Sequence, residues 1–364
     1  MEWRIYSVLL AAAFAFAAVS YAWSPWEGRL LEFNPSDGKY AVKSSVIRLF
    51  LVAAAGAVVF AMARASDIAS ARRLSRYAPW AVAAMVGLLT ITALFEAFLL
   101  DLFSPLSSSP GELVQNIGRN AMMTAAAAPI LASHLASAER VGPLGAYVVA
   151  AVVAASAVYL GFYAAALAIF AAFAGAGVVR IWPAHGFRIL GWCSAALVFS
   201  APVLVLLFLS DAGGAADANS TETASMMWRM DAWRLTVGLI AEKPVFGWGA
   251  DASRTVDVVY TAGAFKGELI VGGHPHNMPL QVWLELGAVG AALLSAALIA
   301  LGGRLPEPRS IGMPAAQAAA GVWGACAVAC GVSFGLWNAG WWAFVAVIVC
   351  CLVLIAMRKD EFEA

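Results

Sequence analysis

Residues Pro143–Val179, PLGAYVVAAVVAASAVYLGFYAAALAIFAAFAGAGVV, carry no charged side chain. As a single helix the stretch would run roughly 55 Å, against a bilayer hydrocarbon core of about 30 Å. It therefore reads as two short membrane spans that meet near Gly161. Working outward, comparable apolar blocks occupy Arg4–Tyr21, Ser44–Met62, Pro79–Leu100, Asn120–His134, Ile189–Leu209, Pro279–Leu301, Pro314–Phe334 and Trp341–Met357. Each approaches the length of about 17–25 residues that crosses a bilayer, so the expectation is about ten spans. The fold class expected is all-α, a polytopic integral membrane protein.

Composition agrees. A chain of 364 residues is long enough for two or three soluble domains, yet 62% of it is apolar and only 12% is charged. Soluble proteins average roughly 25% charged. With 22 basic and 22 acidic residues the net charge is zero, and no nucleic-acid partner is indicated. All five cysteines lie inside apolar blocks, which excludes a disulfide framework or a zinc ribbon. The first block resembles a signal peptide in length, but no small-x-small cleavage site follows it. Tyr21, Trp23 and Trp26 follow instead, as for a retained helix ending at an interface.

Positive charge orients the spans. One face collects Arg4, Arg64, Arg72, Arg73, Arg76, Arg140, Arg180, Arg188, Arg304, Arg309, Arg358 and Lys359. The opposite loops hold Arg29, Lys39 and Lys43, with Arg48 and Arg119 at helix ends. The positive-inside rule then places both termini in the cytoplasm. Reading Pro143–Val179 as one span would reverse every later loop and spoil this bias. The expected organisation is a bundle of about seven spans at 1–210, an external loop at 211–277 and about three spans at 278–364.

The loop from Asp211 to His276 is far longer than the others, and long connections inside compact folds are usually functional or disordered. Its start, AGGAADANSTETAS, is small and polar, and its Asn219-Ser220-Thr221 sequon reads as chance. Further on, Met226, Met230, Trp233, Val237 and Ile240 recur at amphipathic-helix spacing, and Pro244 stops the pattern. Arg229 falls beside Trp233 at the edge of the apolar face. Periodicity leaves two readings open: a snorkelling arginine on a surface helix, or a fixed cation aimed into a pocket at the bilayer boundary. Phe246-Gly247-Trp248-Gly249 then forms a turn.

Four histidines are present, and two of them, His274 and His276, close the loop in GGHPHNMPLQVWLELGAVG. Pro275 holds an extended dipeptide between them, and Gly272-Gly273 lets backbone approach a ligand closely. An imidazole there is either a hydrated surface group or a proton acceptor near neutral pH. Zinc is the rival reading, but no third ligand stands at a helical offset. Gly331-Val332-Ser333-Phe334-Gly335 spells a nucleophile elbow, yet it ends an apolar helix, so its glycines read as helix-packing positions. Glu96 and Asn338 fall near helix ends, where hydration accounts for them. Arg48 and Arg119 either snorkel or face a lipid phosphate.

Two segments, WRMDAWRLTVGLIAEKPVFGWGADASR (Trp228–Arg254) and HPHNMPLQVWLELGAVG (His274–Gly290), resemble the signature region of the O-antigen ligase family. That family also includes O-antigen polymerases and bacterial protein O-glycosylating transferases. The residues that carry the resemblance are Arg229, Trp233, Pro244, Gly247, Gly249, His276, Asn277, Glu285 and Gly287. The chain departs from the family where a Ser-Arg-Gly step is common, reading Leu160-Gly161-Phe162-Tyr163. That departure leaves Arg119, Arg48 or Arg254 to replace a phosphate-binding arginine, or else an altered or lost activity.

The resemblance implies a membrane glycosyltransferase at the periplasmic face of the bacterial inner membrane. Its donor would be an undecaprenyl-pyrophosphate-linked glycan and its acceptor lipid A–core or another glycan, with inversion and without metal or cofactor. Arginine suits pyrophosphate because its planar fork donates paired hydrogen bonds, and transfer to a hydroxyl calls for a base. The expected catalytic residues are His276 and Arg229. Arg254, Trp233, Asn277, His274, Arg119 and Arg48 are expected to bind substrate. A polymerase or protein glycosyltransferase of the same family is the alternative, and a transporter or scaffold the bland one.

Overall fold

The computed structural model describes residues 3–28, 31–34, 39–103, 105, 110–138, 141–209, 221–261 and 266–357. Asn219 and Ser220 of the sequon, most of the polar run that opens the long loop, and Arg29, Arg140, Arg358 and Lys359 lie outside them. Helices α1 (Trp3–Val19), α2 (Ser45–Ala65), α3 (Ile68–Ser75), α4 (Tyr77–Leu94), α5 (Glu96–Phe103) and α6 (Pro110–Ala136) come first. Then follow α7 (Pro143–Tyr159), α8 (Tyr163–Ile181), α9 (Gly186–Leu209), α10 (Thr221–Glu242), α11 (Met278–Arg304), α12 (Met313–Val332) and α13 (Ala339–Ala356). Among the described residues, seven helices are long and apolar enough to cross a membrane, and two shorter apolar ones accompany them. The chain is a multi-pass membrane protein built almost entirely of helices. One short antiparallel hairpin, β1 (Leu31–Asn34) with β2 (Lys39–Val42), interrupts the helical pattern. The search for apolar blocks passed over it, although Phe33, Tyr40 and Val42 are good strand formers.

The deciding stretch breaks where expected. Gly161 adopts φ +76°, and its amide and that of Phe162 bond back to Val158 and Ala157, closing α7 before α8 begins. Two other expected spans are corrected. Pro79–Leu100 is divided at Phe95 into α4 and α5, which turns polar Glu96 into a helix start. Pro279–Leu301 lies in α11 but is not continuous, because Gly287 sits at φ +61°, ψ −162°.

The chain forms two compact units. One contains residues 55–190, 305–329 and 340–364. There α6 contributes the fully buried alanines Ala121, Ala125, Ala126 and Ala127, and small residues bring backbones together. A side chain at Gly175 would strike the Ala320 carbonyl, and one at Gly324 would strike that of Ala171.

The other unit contains residues 1–54, 191–304 and 330–339. Its core joins Ala201 and Val205 of α9, Trp233, Val237 and Ile240 of α10, and Leu280 and Leu284 of α11. These α10 residues are the ones whose spacing marked the amphipathic helix. A second cluster joins Ala17, Val46, Ala250 and Leu286.

The segment after α10, Pro244–Gly249, straps the break in α11. Where Gly287 leaves the helix, the Leu284 and Glu285 carbonyls accept from the amides of Trp248 and Gly249, each at 2.8 Å. On the other side of the break, the amides of Ala288 and Val289 donate to the carbonyls of Pro244 and Val245. An interrupted helix at membrane depth is tolerable only when its freed backbone groups find such partners. The glycines are steric requirements of the strap. A Cβ on Gly287 would overlap the Val245 carbonyl, and one on Gly247 would meet the Glu285 backbone.

Candidate active site

The strap and the broken helix hold the end of the long loop against α10. Gly272 and Gly273 adopt φ +56° and +94°, and His276 itself adopts φ +51°. Left-handed backbone at a non-glycine residue is uncommon, and such positions concentrate at functional sites. The loop is pinned by Trp233, whose indole Nε1 donates to the Pro275 carbonyl at 2.8 Å. Trp228, on the same helix, meets the His276 ring edge-on at 5.1 Å between centroids. The His274 ring lies 4.1 Å from that of His276. Among the described residues no group of three metal-ligating side chains is placed to hold an ion.

The opposite wall comes from the segment after α12. His276 Nδ1 lies 3.2 Å from the Ser333 carbonyl oxygen. A carbonyl only accepts, so Nδ1 carries the proton and Nε2 is the basic nitrogen. Gly335 packs directly on the His274 ring, where any Cβ would overlap it. That corrects the reading of the Gly331–Gly335 string. Its serine carbonyl and second glycine shape the histidine pair, and the glycine faces a loop rather than packing two helices.

Arg229 lies one turn before Trp233 on α10, on the face that carries the His loop. Its Nε is buried without a hydrogen-bond partner, and no acidic side chain pairs with it among the described residues. Burial pushes its guanidinium pKa down from the usual value, which reflects the cost of holding an uncompensated charge there. Arg234 on the same helix is different. It pairs with Asp231 at 3.0 Å and donates to the Leu209 carbonyl. Tyr260 also donates to Asp231, and burial with that carboxylate raises its phenol pKa.

Arg254 meets a second acid, and Arg48 is joined to the same cluster through Ser45. Fully buried Asp251 accepts from Tyr21 at 2.6 Å and from the Ser45 amide at 3.0 Å. Arg254 reaches its other oxygen at 3.5 Å and the Lys43 carbonyl at 3.1 Å, while stacking over Trp26. Arg48 donates to Ser45 Oγ, and its Nε is buried without a hydrogen-bond partner. Ser253 connects this cluster to the His loop by donating to the Gly273 carbonyl.

Two further expected residues have local partners. Asn277 Oδ1 accepts the Leu280 amide at 3.0 Å, so its side chain caps α11. Arg119 lies in the other unit, exposed, and donates to Asn116 and Gln115 on its own helix.

Sequence reasoning passed over Asp251, Ser253, Gln281 and Trp337. It noted Glu285 only as part of a pattern, although a lone acid within an apolar span is a usable signal. Glu285 is fully buried and accepts from the Asp251 amide, Ser253, Gln281 and Trp337.

No curated protein and no solved structure matches the chain. Residues 142–295 match the family described as O-Antigen ligase. The matched stretch runs from α7 through α10, the strap and the His loop into α11, so that this part of the chain is similar to the O-antigen ligase family.

Proposed function

We propose that the protein transfers a glycan from undecaprenyl pyrophosphate to lipid A–core. The observation that carries this reading is Arg229, a half-buried cation whose buried Nε has no hydrogen-bond partner, on the helix face whose tryptophan holds the histidine loop. A pyrophosphate would supply the missing acceptors, and a guanidinium can grip it in a bidentate way. His276 Nε2 takes the proton from the acceptor hydroxyl as that oxygen attacks the anomeric carbon. The glycosidic bond to phosphate breaks, the anomeric centre inverts, and undecaprenyl pyrophosphate leaves with the bonding pair. Arg48 and Arg254 stand by the neighbouring acid cluster as further phosphate donors. The residues do this chemistry without a metal.

A deletion strain, with surface polysaccharide resolved on gels, tests the acceptor. Loss of the whole ladder from lipid A–core supports ligation. Lipid A–core capped by single repeat units would instead make the protein a polymerase.

The site faces the periplasm of the inner membrane in this reading, with about ten spans and both termini cytoplasmic. A cysteine placed at Thr221 should then react with an impermeant thiol reagent in intact cells, and one placed at Ala364 should not. Equal labelling would overturn the orientation.

A further inference from the structure

We infer that Glu285 and Gln281, neighbours by one turn on α11, are positioning residues that hold both walls around His276. This inference rests on the reading of His276 as the base. On one side, Ser253 Oγ lies 2.6 Å from Glu285 Oε1 and 3.0 Å from the Gly273 carbonyl of the His loop, its single proton shared between the two acceptors. On the other side, Glu285 Oε2 accepts from Trp337 Nε1 at 2.6 Å, and Gln281 Oε1 accepts the Leu336 amide at 2.8 Å. Those two residues continue the segment whose Ser333 carbonyl fixes the His276 ring. Gln281 Nε2 closes the network by donating to Glu285 Oε1 and Ser253 Oγ.

Donor and acceptor roles are fixed where the network meets N–H groups. Glu285 Oε2 meets only N–H donors, the Asp251 amide and Trp337. Gln281 cannot turn its amide over without facing its NH₂ toward the Leu336 N–H. A glutamine at 285 therefore sets donor against donor in either orientation. If its oxygen keeps the Trp337 side, its nitrogen faces the Gln281 nitrogen. If its nitrogen takes the Trp337 side, it faces two N–H groups. Exchanging the pair, Glu285→Gln with Gln281→Glu, restores every match. The new carboxylate accepts from Leu336 and from the amide at 285, whose oxygen accepts from Asp251 and Trp337.

The test measures glycan transfer by the full-length protein in membranes, separating kcat from the KM for lipid-linked donor. Glu285→Gln is expected to lower kcat about 100-fold with KM little changed, the scale of a catalytic group displaced by about 1 Å. The exchanged double variant should recover most of that loss. Ser253→Ala removes the link to the His loop together with the hydroxyl's contacts to Glu285 and Gln281, leaves the Trp337 and Leu336 side in place, and should lower kcat roughly tenfold with the protein at normal levels. It carries the test if Glu285→Gln does not accumulate. A fully active Glu285→Gln or Ser253→Ala, or an inserted double variant as impaired as the single one, would overturn the positioning role. His276→Ala, run alongside, separates the two ideas: if it retains activity, the reading of His276 as base falls instead.

Discussion

His276→Ala is expected to abolish glycan transfer while leaving the protein inserted at normal levels. The reason is geometric. The Ser333 carbonyl at 3.2 Å takes the Nδ1 proton, so Nε2 is the nitrogen available to accept one. Removing a general base costs about 10²–10⁴ in rate, enough to erase a polysaccharide ladder. Position 276 is left-handed at φ +51°, a penalty that the native histidine already carries, so alanine adds little to it. His276→Asn is the backbone control, because asparagine tolerates the left-handed region but supplies no base near neutral pH. Both variants should be inactive, and the asparagine variant should accumulate like the parent. His274→Ala should be milder. Its ring packs on His276 and Gly335, so its loss loosens the base without removing it. Near-normal transfer by His276→Asn, quantified against protein in the membrane, would exclude the imidazole as base.

The sequence made the helices legible because their signal is long and redundant. The break at Gly161 followed from length against bilayer thickness, and α10 from apolar residues at helical spacing that now fill one core cluster. The breaks at Phe95 and Gly287 escaped the same reasoning, since an apolar run continues through both. Gly287 became interpretable only beside Gly247, a residue distant in sequence whose strap takes up the backbone bonds freed by the break. The site divides in the same way. His276 and Arg229 stood out as scarce polar residues next to membrane boundaries. Periodicity leaves Arg229 with two roles, a snorkelling head or a cation aimed into a pocket, and its buried, unpartnered Nε is the feature that supports the second. The capping role of Asn277 Oδ1 on α11 is a local feature beside His276. Glu285, Ser253 and Trp337 come from three separate segments that meet in one network. No local pattern encodes such a meeting.

Arg229→Lys is expected to be severely impaired although it preserves formal charge. Arginine presents donors in a planar fork that can bond two oxygens of one phosphate, whereas lysine offers a single compact ammonium. A hydrogen bond to a charged group is worth about 1.5–3 kcal/mol, so losing one lowers transfer roughly tenfold to over a hundredfold. Burial adds a second loss. It already depresses the Arg229 pKa, but an arginine starts high enough to remain charged. A lysine in the same place starts near 10.4 and is far more easily neutralised by burial. The defect should therefore appear in donor use rather than in acceptor saturation. Stability should move the opposite way. An uncompensated buried charge is costly, so Arg229→Leu should hold or raise the thermal midpoint while abolishing transfer. That combination separates a ligand-binding cation from a packing one. A snorkelling arginine would tolerate lysine and lose stability as leucine only through packing, whereas an anion-binding arginine loses function in both variants and stability in neither. A silent Arg229→Lys, measured at saturating acceptor, would remove pyrophosphate recognition from this residue.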